Sequence, residues 1–155
     1  MWRCVVQTVL LMGMLSPPGA AAPQSRTLPV SVAIVVNQSS ATLEIEASQH
    51  AFTVFYHPAS QRFLPLDIPF NVRSRSGRQV SYVLSLALLA GQCDGRTPLV
   101  PTAMLDHQAA SLGQARRFEG VKRAHVLTLS FPARSQASLA QYCDGYAGVT
   151  AELAM

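Results

Sequence analysis

The residues able to do acid–base, metal or nucleophilic chemistry are few and scattered. Four histidines, His50, His57, His107 and His125, show neither His-x-Glu nor His-x-x-x-His spacing. They are expected on the surface or in loops, with no bound metal or other cofactor. The eight acidic residues include one close pair, Glu44 and Glu46. Two apart on a strand, they share a face, read here as its solvated side, since nothing nearby would hold a carboxyl at raised pKa. No Gly-x-Ser-x-Gly elbow, phosphate loop or dinucleotide fingerprint occurs. Cys93 and Cys143 have neither Cys-x-x-Cys spacing nor a thioredoxin-like pattern around them. Such a set of side chains points away from an enzyme.

Those cysteines gain meaning from the first twenty-odd residues. Arg3 is followed by the apolar run Cys4 to Leu15, the helix breakers Pro17, Pro18 and Gly19, and the small residues Ala20, Ala21 and Ala22. Twelve residues in a helix span ~18 Å, short of a ~30 Å hydrocarbon core. The segment reads as an export signal over residues 1–21, cut after Ala21, and the mature chain carries no membrane span. Without a Leu-x-x-Cys lipobox, a lipid anchor is not expected. Cys4 leaves with the signal, so Cys93 and Cys143 reach an oxidising compartment together. A disulfide is the natural reading, two free thiols the alternative. A closed loop of about 50 residues would contribute roughly 4 kcal/mol by chain entropy. Both cysteines open the string Cys-Asp-Gly, read as turns with the sulfurs at strand ends.

The formal net charge is +4. The positives gather loosely as Arg73, Arg75 and Arg78, then Arg116, Arg117, Lys122 and Arg123. Export removes nucleic acid as a routine partner. A solvated hairpin is the plain reading of these groups, and contact with acidic glycans or lipopolysaccharide the sharper one.

The elements that must carry these residues are strands, because the apolar period is two almost throughout. Leu28, Val30, Val32, Ile34 and Val36 alternate with Pro29, Ser31, Ala33 and Val35. Leu43, Ile45 and Ala47 follow, then Phe52, Val54 and Tyr56, then Leu66, Ile68, Phe70 and Val72. After the turn at Ser74 to Gly77 come Val80, Tyr82, Leu84 and Leu86, a weaker strand over Val100 to Leu105, Val126 to Phe131, and finally Val149 to Met155. Gln108 to Arg117 and Ser135 to Gln141 read as short loop helices. Seven or eight strands with frequent turn chemistry predict an all-β, immunoglobulin-like antiparallel sandwich.

The two ends stand out. Leu28 to Val36 holds no charged residue, although edge strands usually carry charge or bulges against unwanted pairing. Burying five aliphatic side chains contributes on the order of 10 kcal/mol, comparable with the entropy lost on ordering about nine residues. The segment therefore gains only if a matching groove receives it. That groove could belong to another molecule, or the segment could be the first strand of its own sheet. Periodicity leaves both open.

At this point the residues resemble a family. Tyr56-His57-Pro58-Ala59-Ser60-Gln61-Arg62-Phe63 is similar to the Tyr-x-Pro-Ala-Ser-x-x-Phe string of the CS1-type (alpha-class) chaperone–usher fimbrial pilins. Gly145-Tyr146-Ala147-Gly148-Val149 resembles their Tyr-x-Gly approach to the last strand, and Val30 to Asn37 sits where they carry a donor strand. Pro101 to Leu105 and Arg117-Phe118-Glu119 fall in similar order, so the likeness covers most of Arg26 to Met155. It implies a sandwich that is incomplete until a donor strand completes it. Residues 22–38 would be the donor extension and residues 39–155 the pilin domain. The donors would be Leu28, Val30, Val32, Ile34 and Val36. The acceptor groove would be lined by Tyr146, Val149, Ala151, Leu153 and Met155, with Gly148 allowing close backbone approach. Implied partners are other pilin subunits, a periplasmic chaperone and an outer-membrane usher, and the implied destination is the cell surface. The cysteine pair, and Gln38 where a proline is frequent, depart from the pattern.

Overall fold

A computed structural model describes residues 42–135 and 141–155, together with the backbone of residues 27–32. Within these residues the chain is all-β and forms no helix. The strands are β1 (Thr27–Val32), β2 (Leu43–Ala47), β3 (Ala51–His57), β4 (Arg62–Phe63), β5 (Leu66–Ser74), β6 (Val80–Cys93), β7 (Thr97–Pro98), β8 (Thr102–Leu105), β9 (Gln108–Ala110), β10 (Ala115–Gly120), β11 (Lys122–Ser130) and β12 (Cys143–Leu153). They build two sheets. One runs β10-β6-β12-β1-β3-β4, with β7 also on β6, and the other runs β2-β5-β11-β8-β9. Neither closes into a barrel, so the architecture is that of an immunoglobulin-like sandwich.

Alternation explains which face goes inside. Leu43 and Ile45 of β2, Ile68, Phe70 and Val72 of β5, and Leu127 and Leu129 of β11 are buried from one sheet. Tyr82, Leu84 and Leu86 of β6, and Ala147, Val149 and Ala151 of β12, meet them from the other. On the outer side of the first sheet pair, Glu44 lies across from Arg73, which in turn lies across from Lys122. Arg73 contacts Glu44 at 2.7 Å and Glu46 at 2.9 Å, and Lys122 reaches Glu46 at 3.1 Å. The acidic pair is thus the solvated face of β2. Opposite charges set across strands suit an edge that should not recruit further strands.

β6 is longer than its clean alternation suggests, and a bulge is the reason. Gly148 pairs with Leu88 and Val149 with Leu86, leaving Ala87 as the extra residue. One inserted residue flips the face of everything beyond it. Inward positions therefore change from Tyr82, Leu84 and Leu86 to Leu89, Gly91 and Cys93, opposite Ala147, Gly145 and Cys143.

The expected helix over Gln108 to Arg117 is not formed. Asp106 and His107, with φ of 50° and 64°, make a tight two-residue turn of the kind that suits the twist of a hairpin. Gln108–Ala110 folds back on β8 as β9, and Arg116 and Arg117 belong to β10. Arg116 ties the pieces together, donating to the Leu105 carbonyl, to Gln108 Oε1 at 2.9 Å and to the Ala109 carbonyl. The second expected helix, Ser135 to Gln141, falls largely outside the described residues.

Candidate functional site

The site is built where the first and last strands meet. β1 lies between β12 and β3, parallel to the former and antiparallel to the latter. Val30, Ser31 and Val32 stand in register with Gly145, Tyr146 and Ala147, while Thr27 to Ser31 pair with Phe55 back to Ala51. Of the two openings left by periodicity, this structure has the segment in its own chain's sheet. β12 and β3 meet in this sheet only through β1. Without β1 the sandwich has a one-strand slot between them.

The flanking strands run antiparallel to one another, since β1 is parallel to one and antiparallel to the other. Any strand in this slot, in either direction, makes one parallel and one antiparallel ladder. Ladder hydrogen bonding alone therefore hardly selects a direction. In the single chain, direction follows from connectivity, because the segment must lead on to β2 in the opposite sheet.

The expected donor and acceptor residues fall as follows. Leu28, Val30 and Val32 lie on β1, whereas Ile34 and Val36 lie outside the described residues. Val149 and Ala151 of β12 are buried in the core. Tyr146 is on the opposite, outer face of the strand and half exposed, Leu153 is partly exposed, and Met155 lies beyond the strand in solvent. These five do not share one face. Gly145 and Ala147, at the registered positions next to β1, face inward instead.

Cys93 and Cys143 sit directly opposite one another on β6 and β12 and are joined by a disulfide. Asp94 and Gly95, both at positive φ, form the turn after Cys93. Asp144 and Gly145 do not turn. They continue β12, so only the first of the two Cys-Asp-Gly strings is turn chemistry. The close backbone approach is two residues along from the bridge. The Leu99 N–H donates to the Gly91 carbonyl at 2.8 Å, and a Cβ on Gly91 would clash severely with the Leu99 carbonyl oxygen, well inside van der Waals contact. The strand must be bare there.

The string Tyr56 to Phe63 forms the hairpin from β3 to β4. Tyr56 and Phe63 pair across it, with rings 5.4 Å apart and Phe131 5.9 Å beyond. Gln61 N–H closes on the Pro58 carbonyl. The Tyr56 hydroxyl donates to the Arg134 carbonyl and the Arg134 N–H to the Gln61 carbonyl, both at 2.7 Å. The far wall of the slot is therefore pinned to the chain that follows β11.

The basic groups lie at two solvated strand-to-strand turns, as the plain reading expects, while one histidine departs from its expected place. The arginine groups are largely engaged within the fold: Arg73 with Glu44 and Glu46, Arg116 with three oxygens, Arg117 with the Met155 carbonyl at 3.0 Å, and Arg123 over the Phe118 ring at 5.0 Å. His50, His57 and His107 are exposed, but His125 is a core residue at 1% exposure, which corrects the surface assignment. Its Nδ1 lies 2.7 Å from Asp106 Oδ2 and its Nε2 2.7 Å from the Tyr82 hydroxyl. Phe70 stacks on the ring at 5.5 Å and Phe118 meets it edge-on at 4.7 Å. Burial drives the His125 pKa down despite Asp106. For Asp106 burial works upward, but the Val126 N–H and the His125 ring outweigh it and hold the carboxyl low. Burial likewise pushes Tyr82 up to about 12. With the ring neutral, a carboxylate at Nδ1 can only accept, so Asp106 takes the Nδ1–H and the Tyr82 O–H donates to Nε2. The imidazole is thus enclosed by Phe70, Tyr82 and Phe118, with Asp106 at its partly exposed end. A sequence hint existed, since His125 falls in phase with Leu127 and Leu129.

No protein-family model matches this chain, and no curated protein does. Among solved structures, the chain is similar to that of the CooA pilin subunit from enterotoxigenic Escherichia coli. The two are 11% identical, with a TM-score of 0.47, over 70% of this chain and 97% of that one.

Proposed function

We propose that this chain is a structural subunit of a bacterial surface fimbria, supporting adhesion and assembled by donor-strand exchange through a periplasmic chaperone and an outer-membrane usher. The observation that carries this reading is the slot. A sandwich wall made from the chain's own uncharged first strand, inserted between β12 and β3, is a place where a like strand from another copy fits. Either strand direction leaves one ladder of each kind, which suits the slot to a donor from outside. In this reading β1 fills its own slot in the lone subunit and the next subunit's extension replaces it in the fibre. Residues 22–38 form the extension and residues 39–155 the receiving domain.

The test is deletion of residues 22–36. The truncated chain should be captured by a chaperone, or by an added peptide matching residues 27–37, and should no longer polymerise. Polymers formed by the truncated chain would place the joint elsewhere.

A second reading is favoured by β1 lying in its own sheet: an exported, monomeric sandwich that binds a ligand. It expects a monodisperse monomer whose β1 amides exchange with solvent as slowly as those of β12. Binding of acidic glycans is weakened as its basis by the number of arginines already engaged within the protein.

A further inference from the structure

The outer face of β6 and β12, beside the disulfide, holds a depression of about 160 Å³ lined by Ala90, Gly91, Gln92, Asp144 and Tyr146. Its origin is local. Tyr146 stands opposite Ala90, and Asp144 opposite Gln92, so one large ring borders a small side chain and leaves the space beside it open. β7 pairs with β6 only at Gln92 and Cys93 before the chain turns inward at the buried Leu99. Nothing from that strand fills the hollow.

The lining side chains are unspent. Among the described residues, the Asp144 carboxylate, the Gln92 amide and the Tyr146 hydroxyl have no protein hydrogen-bond partner. Tyr146 is 48% exposed and Asp144 half-buried. One aromatic wall, one acceptor-only carboxylate and one amide that both donates and accepts converge on a space below the ~300 Å³ of a drug-sized pocket. A pyranose has matching chemistry: an apolar C–H face for the ring and a rim of hydroxyls for the acid and the amide. Among the described residues no cation lines the hollow, and Asp144 would repel an anion.

We propose that this depression is a binding site for a neutral sugar ring, with Tyr146 as the stacking platform and Asp144 and Gln92 reading hydroxyls. The site goes beyond the polymer reading, since it does not depend on which molecule supplies β1. In a fibre it would be repeated along the surface, and weak single-site binding would be raised by multivalency.

The experiment is saturation-transfer NMR on the exported chain. The probes are glucose, galactose, mannose and N-acetylglucosamine, with sialic acid and tetramethylammonium as charged comparisons. At least one neutral sugar should bind with Kd on the order of 1–10 mM. Tyr146→Ala should weaken binding at least about tenfold while Tyr146→Phe retains it, and Asp144→Asn and Gln92→Ala should each weaken it severalfold, at about one to two hydrogen bonds' worth. Circular dichroism should be unchanged in all four. Should Tyr146→Ala disturb the fold, the exposed Gln92→Ala carries the test. Absence of binding by every neutral sugar, binding that survives Tyr146→Ala and Asp144→Asn, or binding confined to the charged probes would overturn the site.

Discussion

At the His125 end of the sandwich, sheet meets sheet through side chains. His125 and Phe70 come from one sheet, Tyr82 and Phe118 from the other, and Asp106 from the β8–β9 turn, all within one hydrogen-bonded and stacked group. At the slot end, continuity of the β10-β6-β12-β1-β3-β4 sheet passes through the backbone of one terminal strand, with the Cys93–Cys143 bridge and the Tyr56–Phe63–Phe131 aromatics on either side. The difference is one of exchangeability. A side-chain network of five residues from five places has no substitute outside the molecule. A main-chain ladder can be remade by any extended segment of suitable length, so an end closed that way can be opened and refilled while the other stays shut.

Removing residues 22–36 should break this contrast most severely. β3 and β4 lose their only ladder to β12, and the chain should lose on the order of 5 kcal/mol or more, most of a typical domain's 5–15 kcal/mol. A urea titration with and without a peptide of residues 27–37 measures both the loss and its recovery. An unchanged midpoint would mean that β1 contributes little to the closure. Next in size is the double variant Cys93→Ser with Cys143→Ser. The bridged residues are 50 apart, so the loss should be about 4 kcal/mol on the chain-entropy account. Its second readout is hydrogen exchange: β12 and β1 should lose protection more than β5 and β11. His125→Ala should cost about 3 kcal/mol, from a cavity and the abandoned Asp106 and Tyr82 groups, with the reverse exchange pattern. Tyr82→Phe removes one donor and should cost about 1 kcal/mol. Equal loss of protection at both ends in these variants would show one cooperative unit instead of two.

Which parts of this were legible beforehand follows from how local their causes are. β2, β3 and β5 are continuous alternating runs, and their bounds follow directly from Leu43–Ala47, Phe52–Tyr56 and Leu66–Val72. β6 was legible only as far as Leu86, because Ala87 is a bulge whose phase change is set by pairing with Gly148 and Val149 on a strand some sixty residues away. The helix expected over Gln108 to Arg117 fails for a similar reason: Asp106 and His107 turn the chain, and Arg116 finds its carbonyl partners only after β8 and β9 have paired. His125 was misplaced because a histidine in phase with Leu127 and Leu129 looks polar by type, and its acceptor and donor, Asp106 and Tyr82, lie 19 and 43 residues away. On β12, the five expected groove positions mix odd and even numbers, so a strand could never have shown all of them to one side. Tyr146 then proves to face the outer hollow.

A last effect, graded by pH instead of by substitution, separates the two ends. Folding places His125 where burial opposes its charge, so its pKa in the native chain lies below the ordinary 6.5. As pH falls through 6.5, the unfolded chain takes up a proton that the folded chain refuses. Stability should therefore decline on acidification, by up to about 1.4 kcal/mol per pH unit. Asp106, held below its ordinary 3.8, adds a second loss only as pH falls through that lower range. Arg123 opposes protonation of His125 and Asp106 favours it, and these are the charges that face the ring. Urea midpoints of the full chain should fall between about pH 7 and pH 5, and His125→Gln should flatten that fall. Over the same range, hydrogen exchange at the β1 backbone should change no more than global stability does, because a main-chain ladder has nothing to titrate there. A midpoint constant across the range would mean that His125 charges as readily in the folded sandwich as outside it, and that its end is more open than its packing implies.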